Sequence, residues 1–367
     1  MISPFMTHYR VEFYKKLVSS FETMQFYFQN KSSNDGRPGI HVEETETYKM
    51  YDNMDFRLGG IKPKFSFNLI KKVKRNGIQL IILEGATSNL TSWYFIIFRK
   101  ILNIKIISWA CGWQPENHSR LTRKIKMEFE RLFFNNLDWI ISYSTTAQEY
   151  LKKNGVKTPI TVAFNGIDTD IYYERKELVL EAAKVLNPKN GKTIFIYVGG
   201  LFVDKKVNLL LECFKELQSE LPNTCLWVIG DGPMKNEMEI YVREGNLNNI
   251  EFMGRIENGV EPYFAAADFL VLPGVGGLAL NQAMLWGTPC IVSEADGTED
   301  DLVIDNITGF RFVKDNKISL INALTRATSL TEGEKMEMSQ KAQALILYRS
   351  NTNQMVNTFT DVINKFI

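Results

Sequence analysis

The sequence has little of what marks disulfide-rich, zinc-binding or membrane-spanning proteins. Its 367 residues include four cysteines and three histidines. The cysteines, Cys111, Cys213, Cys225 and Cys290, have neither CxxC nor metal-ligand spacing, and each lies in or beside an apolar run. This pattern predicts reduced, buried thiols in a cytosolic protein.

Long apolar runs are also missing. The longest, Trp93 to Phe98, is far shorter than the roughly 20 residues that cross a bilayer. The opening stretch MISPFMTHYR lacks the apolar core of a signal peptide. We therefore expect a cytoplasmic protein without a membrane-spanning helix.

Charge is balanced in total but not along the chain. The net charge of +1 gives no reason to expect nucleic acid as a partner. Residues 1–165, however, have 24 Lys and Arg against 14 Asp and Glu, whereas the remainder has 19 against 28. A basic first half favours contact with an anionic membrane surface or an anionic acceptor, and chance segregation of surface charge is the alternative.

Strand-like and helix-like segments alternate along the chain, which predicts an α/β fold with doubly wound parallel sheets. The alternation pauses between Gly166 and Gly191, where Asn187 to Gly191 is a turn cluster, and we expect a domain boundary there. The first strand is unusual, because only three residues precede Pro4. Either this strand is very short, or the sequence starts downstream of its natural start.

Glycine-containing motifs follow four predicted strands of the second half. They are Gly199-Gly200-Leu201, Gly230-Asp231-Gly232-Pro233, Gly254-Arg255 and the stretch Gly274 to Gly277. Because the carboxyl ends of parallel strands meet at one edge of a sheet, we expect the four motifs to lie together. The last motif precedes a predicted helix, Leu278 to Trp286. A glycine turn before a helix presents backbone N–H groups and the positive end of the helix dipole, which predicts a phosphate site.

In this order, with Asn165-Gly166-Ile167-Asp168 before them and Asn306 to Phe310 after, the motifs resemble those of glycosyltransferase family 4. The likeness is specific from about Asp138 to Phe312. It implies the GT-B fold, in which two Rossmann-like domains face each other across a cleft. By this resemblance residues 1–168 bind an acceptor, residues 169–348 bind a nucleotide sugar, and a helix in 349–367 crosses back to the first domain.

The resemblance also implies a catalytic cation. Lys205 falls on the family's lysine, which we expect to pair with the donor diphosphate and to stabilise the charge that develops as the glycosidic bond breaks. Gly200 replaces the arginine that usually joins this lysine, so Arg255 or Lys206 is expected to substitute for it. The alternative interpretation is that Lys205 and Lys206 are solvated surface lysines.

Two glutamates of the family fall on Gly274 and Gln282, so both carboxylates are missing. Gln282 still has the groups to hydrogen-bond a ribose, or it is a surface residue of its helix. Phosphate contacts from backbone N–H groups need no side chain. The donor-binding residues expected are Gly199, Gly200, Lys205, Asp231, Gly232, Arg255, Gly276, Gly277, Leu278 and Gln282.

The acceptor is expected to bind the first domain. His8 is the candidate catalytic base there, although it also fits an ordinary loop histidine. Tyr9 and Arg10 follow it, and Glu84 lies at the end of a predicted strand. Trp113 lies beyond another strand, and its ring can stack on a sugar.

Neither a metal ion nor another cofactor is expected. The resemblance implies a front-face reaction in which the leaving phosphate helps to deprotonate the acceptor, without a protein nucleophile. Asp296, Asp300 and Asp301 are interpreted as solvated loop residues and not as metal ligands. The donor is expected to be a nucleotide-diphosphate sugar, with UDP favoured over GDP.

A basic amphipathic helix is predicted from Arg120 to Phe134. Its cations lie beside the apolar residues Leu121, Ile125, Phe129, Leu132 and Phe133. Such a helix could dock on the anionic inner face of the plasma membrane, where a polyprenyl-linked acceptor would reside. The alternative is an ordinary core-facing helix with a basic solvent side.

The sequence thus predicts a retaining, metal-independent glycosyltransferase. It would move a sugar from a nucleotide-diphosphate sugar to a lipid-linked or glycan acceptor in surface-polysaccharide assembly. The alternative is a catalytically silent subunit of the same fold that binds a nucleotide or a partner enzyme, because one arginine and two glutamates of the family pattern are missing.

Overall fold

The computed structural model describes residues 1–3, 6–29, 43–55, 63–110, 120–187, 191–295 and 297–367, without the side chains of His8, Asp55 and residues 120–123. The chain divides into two compact units. The first consists of Met1–Asp168 together with Thr352–Ile367, and the second of Thr169–Asn351. In the described ranges no helix combines the length and apolarity needed to cross a bilayer.

The first unit contains short strands that are mostly parallel. They are β1 (Ile2–Ser3), β2 (Phe26–Gln29), β3 (Tyr48–Tyr51), β4 (Met54–Asp55), β5 (Lys64–Phe65), β6 (Leu80–Glu84), β7 (Lys105–Ala110), β8 (Trp139–Ser142) and β9 (Ile160–Val162). β1, β2 and β3 form one parallel sheet in that order, and β6, β7, β8 and β9 form another. β4 and β5 pair antiparallel.

Helices connect these strands. They are α1 (Val11–Ser19), α2 (Phe67–Arg75), α3 (Leu90–Leu102), α4 (Arg120–Asn135) and α5 (Thr145–Lys153). The side chains of Ser66, Asn89 and Ser144 accept hydrogen bonds from backbone N–H groups in the first turns of α2, α3 and α5. Such caps satisfy donors that have no partner inside the helix, so these helices begin where the sequence places a short polar side chain.

Successive residues of the central strands enter two different cores. In β6, Ile81 and Leu83 belong to one buried cluster and Ile82 to another. In β7, Ile106 and Ile107 divide in the same way. Because side chains of a strand alternate between its faces, the sheet has an apolar layer on both sides, as parallel sheets do.

The second unit is built around a six-stranded parallel sheet. Its strands are β10 (Thr193–Val198), β11 (Thr224–Ile229), β12 (Ile250–Gly254), β13 (Phe269–Leu272), β14 (Cys290–Val292) and β15 (Gly309–Arg311). Its helices are α6 (Asp170–Leu186), α7 (Val207–Leu217), α8 (Lys235–Glu244), α9 (Glu261–Ala266), α10 (Ala279–Leu285), α11 (Thr298–Leu302), α12 (Lys317–Thr328) and α13 (Glu332–Tyr348).

The strand order of this sheet is β12-β11-β10-β13-β14-β15. This is the order of a Rossmann fold, and it reverses direction between β10 and β13. The predicted doubly wound α/β fold is confirmed. The three described cysteines, Cys213, Cys225 and Cys290, are buried and free, as predicted.

The last helix, α14 (Thr352–Ile363), belongs to the first unit although it follows the second along the chain. Its Phe359 packs edge to face on Phe13 and Trp109, with ring centroids 5.0 and 5.3 Å apart. The backbone N–H of Thr352 donates to the carbonyl oxygen of Ile167 at 2.9 Å. This hydrogen bond joins the two chain segments that make up the first unit, Met1–Asp168 and Thr352–Ile367.

The division between the two units falls within the expected boundary stretch, Gly166 to Gly191, but that stretch also contains a helix that was not predicted. Asp170–Leu186 forms the 17-residue helix α6. Its buried residues Tyr172, Val179 and Ala183 follow the helical period, but the charged residues between them hide this narrow stripe in the sequence. β1 is a strand of two residues.

Candidate functional site

The loops that follow β10, β11 and β12 lie together at the carboxyl edge of the six-stranded sheet. The backbone N–H of Leu201 donates to the carbonyl oxygen of Asp231 at 2.9 Å. The N–H of Gly230 donates to the carbonyl oxygen of Gly254 at 2.8 Å. Hydrogen bonds between backbone groups therefore join three of the four glycine motifs.

Two glycines are required by the close approach of these loops. A Cβ atom on Gly230 would overlap the carbonyl oxygen of Gly199, and one on Gly232 would lie 2.5 Å from the carbonyl oxygen of Leu201. A side chain at either position would force the loops apart, because the atoms that it meets belong to the backbone. The absence of a side chain at these two glycines therefore lets the backbones of the loops after β10 and β11 come into contact.

Lys205 brings the fourth motif into the group. It ends a 3-10 turn, and its ammonium donates a hydrogen bond of 2.6 Å to the carbonyl oxygen of Val275. Gly274 lies against the same turn, since a Cβ there would come within 2.8 Å of the carbonyl carbon of Lys205 and would overlap the carbonyl oxygen of Asp204. The glycine at position 274 therefore lets the loop after β13 pack on the loop after β10.

The two expected substitutes for the missing arginine both face carboxylates. Lys206 lies 3.2 Å from Asp315, and Arg255 lies 3.3 Å from Glu257. The side chain of Arg255 is 65% exposed. Of these three cations, Lys205 is the one that contacts the glycine turn.

Tyr197, which sequence reasoning missed, supports the first motif. It is 1% exposed, and its hydroxyl donates a hydrogen bond of 2.9 Å to the carbonyl oxygen of Gly200. Burial raises the pKa of this hydroxyl, so it remains a donor at neutral pH. The signal available in the sequence is a tyrosine just before the end of a buried strand, where a polar tip needs a partner.

The remaining donor candidates lie around the same edge. The carboxylate of Asp231 accepts a hydrogen bond from the N–H of Gly232 at 2.7 Å. Gly277 has a left-handed backbone, with φ of 84°, and leads to Leu278 at the N-cap of α10. α10 has seven residues, fewer than predicted, and Gln282 is exposed on it.

A buried carboxylate was also missed. Glu299 is 4% exposed and accepts hydrogen bonds from the backbone N–H groups of Gly297, at 3.2 Å, and Ala295. With Thr298 it lines a small cavity that the glycine turn after β13 also lines. Its position after the end of β14 is the signal that could have found it, because the other strand ends supply the glycine motifs.

The prediction that Asp300 and Asp301 are solvated loop residues is wrong in part, because both lie in a helix and Asp301 is buried, whereas Asp300 is exposed. Both belong to α11, and Asp300 pairs with Arg311 at 2.5 Å. Asp301 is 6% exposed and pairs with Arg349 at 3.4 Å. Asp301 is therefore buried in an ion pair and Asp300 is an exposed residue of a helix, whereas Asp296 lies outside the described residues.

Arg10, a candidate for acceptor binding, is enclosed. It is 7% exposed and donates hydrogen bonds to Asn165 and to the sulfur of Met355, the latter at 3.1 Å. Its guanidinium lies 5.1 Å from the ring centroid of Trp109, within the range of a cation–π contact. A side chain with these partners links α14 to the loop after β9, and a role of Arg10 in acceptor binding stays a prediction.

Two other candidates of the first unit are accessible. Tyr9 is 43% exposed. Glu84 is exposed at the end of β6, opposite Trp109 in the register with β7. Trp113 and the side chain of His8 lie outside the described residues.

Two family profiles match this chain. The profile of Glycosyltransferase Family 4 matches residues 32–171, and that of Glycosyl transferases group 1 matches residues 180–345. The chain belongs to glycosyltransferase family 4. The resemblance drawn from the glycine motifs is thereby confirmed.

Relatives of this family 4 chain include enzymes named for glycan and lipid substrates. A lipopolysaccharide 1,2-N-acetylglucosaminetransferase of Salmonella typhimurium is 23% identical over 258 residues, 66% of this chain and 66% of that protein. An alpha-monoglucosyldiacylglycerol synthase of Streptococcus pneumoniae is 23% identical over 213 residues, 55% of this chain and 48% of that one. The chain thus spans about half to two thirds of the length of these relatives.

Solved structures share the fold over nearly the whole chain. HepE of Anabaena in complex with UDP has a TM-score of 0.70 at 15% identity and covers 99% of both chains. A glycosyltransferase from Rickettsia africae has a TM-score of 0.71 at 14% identity and covers 100% of this chain and 97% of that one. Likeness at such identities shows the fold, which is the GT-B fold expected from the sequence.

Proposed function

We propose that this protein is a retaining glycosyltransferase of surface-polysaccharide assembly. It moves a sugar from a nucleotide-diphosphate sugar, with UDP favoured over GDP, to a lipid-linked or glycan acceptor. The observation that carries the proposal is the contact of Lys205 with the turn after β13, beside the point where the sheet order reverses. Ligands of Rossmann folds bind at such reversals. Family membership and the names of the relatives support the proposal.

The diphosphate of the donor binds at the turn that contains Gly276 and Gly277. Backbone N–H groups there contact the phosphate oxygens, and Lys205 moves its hydrogen bond from Val275 to the diphosphate. A cation at this position stabilises the negative charge that grows on the leaving phosphate. The family resemblance implies that no metal ion or other cofactor takes part, so Lys205 supplies the positive charge.

The sugar and the ribose are held with fewer charges than the family pattern provides. Position 274 offers backbone groups alone, since its glycine packs on Asp204 and Lys205. The amide of Gln282 hydrogen-bonds the ribose without a charge. Glu299 keeps the loop after β14 in place through its two backbone contacts.

The acceptor binds the first unit at the strand ends that include Glu84, near Tyr9. Both side chains are exposed, which supports this assignment. His8 as the catalytic base and Trp113 as a stacking platform remain predictions. Arg10 is left out of this set because its partners enclose it.

A peripheral location on the inner face of the plasma membrane is part of the proposal. The described large apolar side chains of α3 and α4 that are more than half exposed form what we call the α3–α4 patch: Ile97, Ile101, Ile125, Phe129 and Leu132. Trp93 and Phe133 bring the two helices together, with ring centroids 5.2 Å apart. Lys124 is exposed on the same helix as three of these residues. An apolar patch beside cations suits an anionic lipid surface.

A donor and acceptor screen tests the function. The purified protein is incubated with UDP-sugars, GDP-sugars and a polyprenyl-diphosphate-linked acceptor, and nucleotide release and product mass are measured. The anomeric configuration of the product is read by NMR, and inversion would exclude the retaining mechanism. Binding of UDP without turnover of any sugar would favour the catalytically silent subunit, and binding of neither nucleotide would overturn the donor assignment.

A further inference from the structure

The loop after β10 presents an aromatic ring near the proposed diphosphate site. Phe202 is 49% exposed, whereas the preceding residue, Leu201, is buried. The 3-10 turn Val203–Lys205 follows directly, and it ends at the lysine that contacts the turn after β13. The ring of Phe202 therefore belongs to the same short loop as the cation of the donor site.

This ring covers the backbone of Gly200. A Cβ atom at position 200 would lie 2.6 Å from Cε2 and 2.8 Å from Cδ2 of Phe202, so any side chain there would have to displace the ring. The backbone below the ring is held in place, because Tyr197 donates to the carbonyl oxygen of Gly200 and the N–H of Leu201 donates to that of Asp231. Phe202 thus occupies the space in which a side chain of residue 200 would begin.

Two further apolar side chains are exposed around the same lysine. Val203, which is 72% exposed, begins the turn that Lys205 ends. Val275, which is 38% exposed, is the residue whose carbonyl oxygen Lys205 contacts. Single exposed apolar side chains are common, but these come from two loops that meet at one cation. We call Phe202, Val203 and Val275 the apolar rim.

A donor bound at the reversal of the strand order places its sugar beside this rim. The order reverses between β10 and β13, and the rim residues belong to the loops after these two strands. Ligands of Rossmann folds bind at such reversals. The sugar of a nucleotide-diphosphate sugar is bonded directly to the diphosphate, for which Lys205 is the proposed cation. Exposed side chains of both loops are then the neighbours of the sugar.

The rim offers such a sugar hydrocarbon contact. Position 274, in the same turn as Val275, has no side chain that could accept hydrogen bonds from sugar hydroxyls. A hydroxyl group placed against the ring of Phe202 would lose water without gaining a partner. A methyl group in that place would gain from leaving water. The rim therefore favours a sugar in which a methyl group takes the place of a hydroxyl.

We propose that the apolar rim selects a donor sugar that carries a methyl group, as acetamido and 6-deoxy sugars do, and that Phe202 is the specificity-determining residue. The methyl group packs on the exposed ring while the diphosphate is held at Lys205 and the glycine turn. This inference rests on the proposed function, because it requires a nucleotide-sugar donor, and it adds the class of sugar.

Calorimetry on the full chain tests the proposal with donors that differ in one group of the sugar. UDP-glucose is compared with UDP-N-acetylglucosamine and with UDP-6-deoxyglucose, and UDP alone measures the contribution of the nucleotide. We expect at least one of the two methyl-bearing donors to bind about three- to tenfold more tightly than UDP-glucose, the scale of one buried methyl group. If the protein binds GDP and not UDP, GDP-mannose and GDP-6-deoxymannose form the pair.

Removal of the ring should abolish this preference. Phe202→Ala should bring the affinities of the paired donors to within about twofold of each other, because the surface below the methyl group is lost. UDP affinity should change by less than about twofold, since the ring is no partner of the diphosphate. Phe202→Tyr keeps the ring and should keep the preference. Tyr348→Ala in α13, at a side chain that is 78% exposed, is the matched control and should change neither quantity.

Three results would overturn the proposal. The first is an affinity for UDP-glucose that equals or exceeds the affinity for both methyl-bearing donors. The second is a preference that survives in Phe202→Ala, and the third is an equal loss of preference in Phe202→Ala and Tyr348→Ala. UDP binding in the same experiments would leave the proposed function intact. If the protein bound neither nucleotide, the donor assignment and this inference would fail together.

Discussion

The ammonium of Lys205 lies 2.6 Å from the carbonyl oxygen of Val275, and this hydrogen bond joins the loops after β10 and β13. The sheet order reverses between these two strands. Gly274, beside Val275, has no side chain to prevent the contact. A cation and a glycine turn are thus held together by backbone packing at the position where Rossmann folds bind phosphates.

Removal of the Lys205 side chain should weaken UDP binding. We expect Lys205→Ala to cost ~1.5–3 kcal/mol by calorimetry, the value of a hydrogen bond to a charged group. Lys206→Ala is the matched control, because the neighbouring lysine pairs with Asp315 at 3.2 Å, and its effect should stay below about 0.5 kcal/mol. Unchanged affinity in Lys205→Ala, or equal losses in both variants, would contradict the role of Lys205.

A methyl group at position 274 should disturb the same contact. Gly274→Ala should lower the free energy of unfolding by about 1–3 kcal/mol, since the new atom meets backbone on the adjacent loop. Gly333→Ala in α13 is the control, because nothing lies within 4 Å of its Cβ position and alanine favours a helix by up to about 1 kcal/mol. Urea unfolding measures both, and equal stability of the two variants would refute the packing argument.

The Tyr197 hydroxyl should stabilise the loop after β10, which contains Gly200 of the proposed donor site. Tyr197→Phe leaves the Gly200 carbonyl without its donor and should cost about 0.5–1.5 kcal/mol of stability. UDP affinity should fall with it, by about two- to tenfold. Tyr348→Phe, at a side chain that is 78% exposed, should change neither quantity. A loss of stability without a loss of UDP affinity would leave Tyr197 a purely structural role.

The described thiols should be unreactive in the native state. Burial raises the pKa of Cys213 to about 12 and that of Cys225 to about 11. Because the thiolate is the reactive form, labelling of Cys111→Ser by an aromatic disulfide reagent at pH 8 should be slow, and it should accelerate as the pH rises toward these values. Guanidinium should expose the remaining three thiols. Fast labelling of Cys213 or Cys225 in the native protein at pH 8 would contradict this.

The α3–α4 patch should decide membrane binding. Phe129→Asp should reduce co-sedimentation with phosphatidylglycerol vesicles at least about tenfold, because it removes a large apolar contact. Met336→Asp in the second unit, at a residue 61% exposed, is the control and should have no effect. Binding of the unaltered protein should weaken as salt rises. The docking idea fails if the unaltered protein shows no salt-sensitive binding to anionic vesicles.

Elements with strong local signals were predictable from the sequence. β10 and β13 are short, largely apolar runs that end at glycine motifs, so both strands can be read from the sequence. α3 begins at the cap Asn89 and ends at Asn103, whose left-handed backbone stops the helix. In each case the residues that set the boundary are neighbours in the chain. The family and its fold were predictable for the same reason, because the motifs are short and their order is preserved.

Other features depend on residues far apart in the chain. The charged surface of α6 hid its buried stripe, and packing against the rest of the second unit decides that it is a helix. Glu299 and Tyr197 carry no local motif, and their importance comes from the backbone groups that they contact. Arg10 was expected in an acceptor site because of its place after the first strand, but Asn165 and Met355 enclose it.

The amino-acid sequence by itself determined that this chain belongs to glycosyltransferase family 4 and has four glycine turns at strand ends. The alternation of strand-like and helix-like segments, the glycines of the turns and the order of the motifs suffice for that conclusion. Only the tertiary structure shows that Lys205 is the cation in contact with the turn after β13. It also shows that close packing of two backbones requires glycine at position 274. The physical reason is that both answers depend on the distance between the loops after β10 and β13, which are about 70 residues apart in the chain and adjacent in the sheet.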